Sequence, residues 1–514
     1  MFKKAITLLV AFALILTVLV GCGSGTTNTS NAAGTSTAAS ASGDAASTTV
    51  AKGEPYTVNF AYHAPKEGNQ QEVADVITKI ALEKLNMKVN LIPISWDTYM
   101  SKFPAMLAAK EPMDIAFNFS FTRASFLDAG YIVDASKYTD YTKDIAQTLG
   151  EDVNAGYVGD FLVGFPMMNS RCFPSAIFVR KDIFDALGYK ESDFNVNTDD
   201  MSSFDQITQM LAKIKEKYPD IIPFDGNRTF LQNYLTYADG FGDSFGVLEN
   251  YGQTTKITNW YESEQCRQFA LLARKWFTGG YTSKDIAVSK DTGRDKMKTG
   301  KSASFFASYV ANQVGNIKTM TGYDTVCIPV SLKVKTTTAV NGALNSVMYQ
   351  SKDKVKAFQF LNWIYTSADF NNLLNWGVPG KDWVVNKDGF ADFPEGVTLA
   401  TVNYHEDFGF IYPNQYLMTP WVGNPKDIWD QYRAFDKDNI LSKAYGFSFN
   451  PASVVNELGQ CSTVLTKYES DIGFGVVDPL PALEKFNKEL KAAGLQKIID
   501  EKQKQLDAWL ATKK

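Results

Sequence analysis

Four stretches within residues 56–119 decide the fold: YTVNFAY (56–62), NQQEVADVITKIALEKL (69–85), VNLIPI (89–94) and DIAFNF (114–119). In the first, Val58 and Phe60 alternate with Thr57 and Asn59, the period-two pattern of a half-buried strand. In the second, Val73, Val76, Ile77, Ile80 and Leu85 fall on one face of a helix. A strand near Val89–Ile94 follows, then a helical stretch carrying Tyr99, Phe103, Met106 and Leu107. Pro104 begins or kinks that helix, because its ring removes a backbone donor. The order strand, helix, strand, helix, strand predicts a parallel sheet with right-handed crossovers, an α/β fold.

Further along, the pattern repeats with variations. SAIFVRKDIFDALG (175–188) reads as a strand and a short helix. Ser202 with Asp205 is expected to form a capping box ahead of Phe204, Ile207, Leu211 and Ile214. A helix is predicted over about Ser263–Thr278, stopped by Gly279. SASFFAS (302–308), YDTVCIPV (323–330) and ALNSVMYQ (343–350) read as strands, the last followed by a helix through Trp363. From about Gln415 the chain is expected to be mostly helical, closing on a stripe of Leu495, Ile498, Ile499, Leu506, Trp509 and Leu510. No internal repeat is found.

The N-terminus has a different character. Lys3 and Lys4 precede sixteen uncharged residues from Ala5 to Val20, then Gly21 and Cys22. This is a secretory signal pattern, too short for a span that needs ~20 apolar residues. Leu19-Val20-Gly21-Cys22 resembles the lipobox of bacterial lipoproteins, which implies cleavage before Cys22 and acylation of it. From Gly23 to Thr49 every residue except Asp44 is Gly, Ser, Thr, Asn or Ala, so the segment cannot bury enough apolar surface to order itself. About 30 such residues reach roughly 30 Å, enough for a tether.

Composition narrows the function classes. Removing residues 1–21 takes two lysines from 51 basic residues, leaving 49 against 56 acidic, a net −7 that argues against a nucleic-acid partner. Cys172, Cys266, Cys327 and Cys461 show no metal-ligand spacing and are expected to be buried free thiols, with a disulfide as the alternative. GDSFG (242–246) matches G-x-S-x-G with His405 downstream, but a nucleophile elbow needs a strand before it and a helix after it. Here Gly252 follows only six residues beyond Gly246. DKDN (436–439) lacks the glycine and closing glutamate of an EF-hand loop, so a solvated turn is expected. No catalytic residue, metal ligand or cofactor is assigned.

The 68 aromatic residues carry more information. Most belong in a core, yet Trp376 in NWGVPG, Trp383 in GKDW and Trp421 in TPWVGN stand in polar, glycine-containing stretches. An amphipathic ring beside Asn and Asp suits a sugar, which has an apolar ring face and a rim of hydroxyls. Arg123, Arg171 and Arg228, three of only eight arginines, could grip paired hydroxyls or a carboxylate, which brings uronic-acid sugars into range. Their structural alternative is an ion pair.

MDIAFNFSFTRASFLDAGYIVDASKY (113–138), GKSASFFASY (300–309), GFSFNPASVVNEL (446–458) and DPLPALEKFNKELKAAGLQKIIDEKQKQLDAWLA (478–511) together resemble the extracellular solute-binding proteins of ABC importers. The resemblance is to the sugar-binding class related to maltose-binding protein, and the tail is similar to that of a Firmicutes lipoprotein subgroup. It implies a two-lobed fold with a hinge, mixed or parallel sheets and a helical C-terminal region. The expected division is a signal peptide (1–21), lipidated Cys22 and tether (22–54), the first segment of the N-terminal lobe (55–165), a second lobe (166–325), and a return to the first lobe with hinge and tail (326–514). It also implies ligand contacts at Asn118, Ser120, Arg123, Arg228, Phe230, Tyr309, Asn312 and Trp421, joined by Arg171, Trp376 and Trp383 from the reading above. Asn118 and Phe121 stand where relatives often carry an aromatic or acidic contact. The implied function is non-catalytic capture of an oligosaccharide, uronic-acid sugars included, for a membrane permease. The protein is expected to be a monomer on the outer face of the cell membrane. A surface glycosidase or esterase and a sugar sensor for a signalling partner are the alternatives.

Overall fold

The computed structural model describes residues 53–64, 69–99, 101–226 and 237–513. Cys22, the signal and tether, Arg228 and Phe230 lie outside the described residues. The opening strand β1 (Tyr56–His63), helix α1 (Gln70–Leu85) and strand β2 (Met87–Ile94) form as expected. β1 and β2 run parallel from Tyr56↔Met87 to His63↔Ile94, and β3 (Ile115–Phe119) joins the other side of β1 in parallel. Asn86 stops α1 by taking a left-handed conformation that turns the chain into β2. Alternation sorts the β1 side chains, so that Val58, Phe60 and Tyr62 enter one core and Ala61 the other. Asp114 fastens the start of β3, accepting from the Tyr56 and Ser351 hydroxyls and from the Asn59 backbone and side chain at 2.5–3.0 Å.

Helix α2 (Ser120–Asp128) follows β3 directly. Strand β4 (Phe165–Pro166) lies at the sheet edge before the chain crosses to a second lobe. There β5 (Ser175–Arg180), β6 (Ser304–Ser308) and β7 (Thr325–Pro329) form a sheet of order β6-β5-β7. All its pairings are antiparallel, so the expected repeat of the parallel pattern does not occur. The stretch joining β5 to β6 holds α3 (Phe204–Lys217) and α4 (Glu264–Thr278), and is no short crossover. The capping box is also absent. Asp200 caps a turn at Met201–Ser203, and Asp205 instead pairs with Lys275 at 2.7 Å.

The chain returns to the first sheet at β8 (Ala343–Val347), antiparallel to β3 and giving the order β2-β1-β3-β8-β4. Helices α5 (Lys354–Ile364) and α6 (Ala368–Trp376) cover that sheet. After Gln415 the chain is irregular, interrupted by Pro420, Gly423 and Pro425, until α7 (Ile428–Phe435). Sustained helix begins later than expected, with α8 (Val455–Gly473), α9 (Pro479–Ala492) and α10 (Leu495–Ala511). These three add Cys461, Ile472, Leu483, Phe486, Ile498 and Leu506 to the core of the second lobe, alongside Trp260, Cys266 and Trp276. All four described cysteines are free. Cys172, Cys266 and Cys461 are buried and Cys327 is half-buried. Among the described residues no helix is long and apolar enough to cross a membrane.

Candidate ligand-binding cleft

Three segments cross between the two cores: 167–174 after β4, 330–342 between β7 and β8, and 436–443 after α7. The second and third pair in parallel through Val334↔Ile440 and Lys335↔Leu441. At the crossings Asp436 accepts from the Arg171 backbone N–H at 2.8 Å and the Ser170 hydroxyl at 2.9 Å. The Arg171 guanidinium donates to Asp152 at 2.9 Å and to Asn169 at 2.8 Å, and Tyr445 donates its hydroxyl to Asp152. Arg171 is therefore buried and committed to protein partners in the crossing.

In α/β proteins ligands gather at the carboxyl ends of the parallel strands. β1 ends at His63, whose ring lies 4.8 Å from Phe408 and 6.3 Å from Phe117, and whose carbonyl accepts from the Tyr412 hydroxyl. Burial pushes the His63 imidazole down to about 4, so it is neutral near pH 7. From Phe117 the rings continue to Phe119 and Phe121 at centroid spacings of 5.4 and 5.3 Å. Phe121 is 60% exposed, stacked on Phe119 on one side and open on the other. In the other direction, residues 405–408 lead from Phe408 to His405, which sits 4.5 Å from Trp421. Two aromatic groups, one from Phe121 to Phe408 with Phe117, Phe119 and His63 buried beneath it and one around His405 and Trp421, are thus joined by the backbone of residues 405–408 into an aromatic floor.

Asp407 interrupts this floor with a carboxylate. It is exposed and holds φ at 52°. Protein nevertheless surrounds it closely enough that loss of hydration pushes its carboxyl up to about 6. Facing this floor, Asn312 of the second lobe donates its side-chain amide to Asn424 at 3.1 Å, and Tyr309 meets Phe435 edge-on at 5.4 Å.

Of the other residues singled out in the sequence, Ser120 and Trp421 are half-buried at this surface and the rest sit behind it. Asn118 is buried in the sheet, donating to Ser346 and Leu344 and accepting from Arg123 at 3.0 Å. Arg123 is buried too, spends a second donor on the Asn341 carbonyl, and is pushed down to about 9 by desolvation. Ser120 lies at the end of β3, half-buried against the 240–246 turn. Trp376 and Trp383 are 4% and 6% exposed, and their indoles donate to the Thr419 and Gly377 carbonyls. Trp421 is the half-buried outer member of that group, 4.8 Å from both Trp376 and Phe393. Asp407 and Asn424 carry no distinguishing pattern in the sequence, and His405 stands out there only as a base. The polar residues around Trp421 were the available signal. Ser244 occupies a turn packed toward α10 rather than a strand-to-helix elbow, and His405 lies among Trp376, Trp421 and Phe393. Among the described residues no group of three His, Cys, Asp or Glu could hold a metal ion.

Comparison with known proteins agrees with this architecture. Residues 75–380 match the family model "Bacterial extracellular solute-binding protein", and residues 443–511 match a "Domain of unknown function (DUF3502)". A "Carbohydrate ABC transporter substrate-binding protein" of Streptococcus pneumoniae serotype 4 is 25% identical over 484 residues, covering 90% of this chain and 92% of the relative. The crystal structure of the N-glycan transport solute binding protein (NgtS) from Streptococcus pneumoniae superposes with a TM-score of 0.75 at 21% identity, covering 89% of this chain and 100% of that one. An "HMO binding ABC-transporter associated Solute Binding Protein" from Bifidobacterium longum infantis superposes with a TM-score of 0.60 at 15% identity, covering 89% of this chain and 100% of that one. With its family model matched over more than half of the sequence, the chain belongs to the bacterial extracellular solute-binding protein family.

Proposed function

We propose that this protein captures a neutral oligosaccharide between its lobes and hands it to the permease of an ABC importer without altering it. The observation that carries the reading is the aromatic floor from Phe121 to Trp421, broken by the Asp407 carboxylate. Ring faces suit the apolar faces of sugar rings, and a carboxylate suits their hydroxyls. The ligand-facing set is Ser120, Phe121, Tyr309, Asn312, Asp407 and Trp421. Asn118, Arg123, Arg171, Trp376 and Trp383 support it from behind. Because Arg123 and Arg171 are buried and already donate to protein partners, neutral glycans rank ahead of uronic-acid sugars. Closure on ligand follows from contacts that both lobes make only when shut.

The relatives support the ligand class. The pneumococcal N-glycan transport protein has been crystallised with Man1GlcNAc and Man5GlcNAc, and those two compounds lead the panel to be tested. Stabilisation by a saturating ligand grows as RT ln(1 + [L]/Kd), so a thermal-shift screen of mannose-containing, milk-type and uronic-acid oligosaccharides reads the class directly. A response only to uronic-acid compounds would overturn the neutral-glycan reading. Cys22 is proposed as the acylated first residue of the mature chain, anchoring the body to the outer face of the membrane. Cys22→Ala should abolish incorporation of labelled fatty acid, and continued incorporation would refute the anchor.

A further inference from the structure

Residues 240–246 of the second lobe form a turn in which Phe241, Gly242, Ser244 and Gly246 have φ of 53°, 92°, 62° and 88°. Two of these are not glycine, and such a conformation persists only when its surroundings hold it. One support comes from the crossing, where buried Asp239 accepts from the Thr337 backbone N–H at 2.8 Å and its hydroxyl at 2.7 Å. The other comes from the C-terminal region. Lys502 of α10 is 0% exposed and donates to Asp243 at 2.5 Å, the Phe245 carbonyl at 2.9 Å and the Gly246 carbonyl at 3.2 Å. Its ammonium also stands 5.3 Å from the Phe241 ring.

The opposite side of the turn meets the first lobe. A β-carbon at Gly242 would stand 3.1 Å from Ser120 Oγ and 3.3 Å from Thr338 Cγ2. Ser120 is the first residue after β3, at the rim of the cleft. Phe447, at the entrance to the tail, packs edge-on against Phe241, and its carbonyl accepts from Asn341 in the crossing.

We propose that Lys502 is a positioning residue through which the C-terminal region, residues 443–511, holds the 240–246 turn so that Gly242 seats against Ser120. The tail thereby fixes where the two lobes meet. This rests on the two-lobed solute-binding fold and not on the class of ligand.

The test is hydrogen-exchange mass spectrometry on the ligand-free full chain, so it stands or falls independently of the glycan screen. Lys502→Met should speed exchange roughly fivefold or more both in the turn (238–248) and across the lobe boundary (118–124), leaving β2 (87–94) at parental rates. Lys497→Met, on the same helix as Lys502, removes a surface pair with Glu457 of α8 and should leave 118–124 unchanged. Acceleration confined to 238–248 and the tail would overturn the proposal. Should Lys502→Met fail to fold, Asp243→Asn, which keeps an acceptor for the Phe245 N–H, decides. A smaller rise at both 238–248 and 118–124 supports positioning, and an unchanged 118–124 refutes it.

Discussion

The contact between α10 and the 240–246 turn and the aromatic floor of the cleft are built from the same residue types, aromatics and an aspartate, yet they are finished differently. At the turn the charge is enclosed: Lys502 has no exposed surface and three protein acceptors. On the floor, Phe121 is packed on one face and open on the other, and Asp407 is exposed while crowded. Enclosure makes a joint. Half-completed packing makes a surface whose remaining partner must come from outside.

If that contrast holds, the largest effect of a single change falls on the joint and registers as stability. Lys502→Met leaves Asp243 without its cation. Removing one partner of a buried pair costs ~3–5 kcal/mol, and the low end, about 3 kcal/mol, is expected because the Asp243 side chain keeps 24% of its surface exposed. Urea unfolding reads this, and a loss under about 1 kcal/mol would reduce the joint to an ordinary surface ion pair.

A change on the floor should register as affinity. Trp421→Ala uncovers ~100 Å² of ring contact with a sugar, about 2–3 kcal/mol at ~25 cal/mol per Å², or roughly 10- to 100-fold in Kd. Calorimetric titration measures it beside the melting temperature of the free variant. Unchanged affinity with a collapsed melting temperature would assign Trp421 to the same interior as Trp376 and Trp383.

The smallest predicted effect is a pH dependence. The Asp407 carboxyl, held up at about 6, is ionised at pH 7.5 and protonated at pH 5. An ionised carboxylate accepts hydrogen bonds from sugar hydroxyls more strongly, so affinity should fall several-fold on acidification across that window. His63 and His405, both pushed down to about 4 by burial, stay neutral throughout it. The linked stability has the opposite sense. A carboxyl raised in the folded state binds more protons there than when unfolded, so its contribution is present on the acid side and is lost as pH rises through about 6. Asp407→Asn should flatten the binding profile, and a profile that keeps its slope would place the titrating group elsewhere.

The first lobe was legible because its signals are local. Alternation in 56–62 and the apolar stripe of 70–85 need no distant partner to be read. The antiparallel second sheet was not, because β5 finds its neighbours across long stretches of sequence and no local pattern records strand direction. Nor could the sequence show that α8 to α10 complete the second lobe, since an apolar stripe names no partner. At the site, Trp421 stood out in a polar stretch, while Tyr309 and Asn312 came only from the family resemblance. Asn118, Arg123 and Arg171 carry side chains that serve a ligand or a buried network equally well, and only the fold reveals their partners. Asp407 gains its character from residues packed around it after folding.

The central claim is capture without chemistry, and titrating the full chain with Man5GlcNAc and its shorter relative in a calorimeter, then recovering the sugar for mass spectrometry, tests it most directly. The account predicts saturable binding with one ligand per chain and the glycan returned intact, with the glycan intact also from Ser244→Ala and His405→Ala and binding weakened only in His405→Ala, whose ring packs on Trp421. A shortened glycan, formed by the parent and not by either variant, would contradict it and make the protein an enzyme.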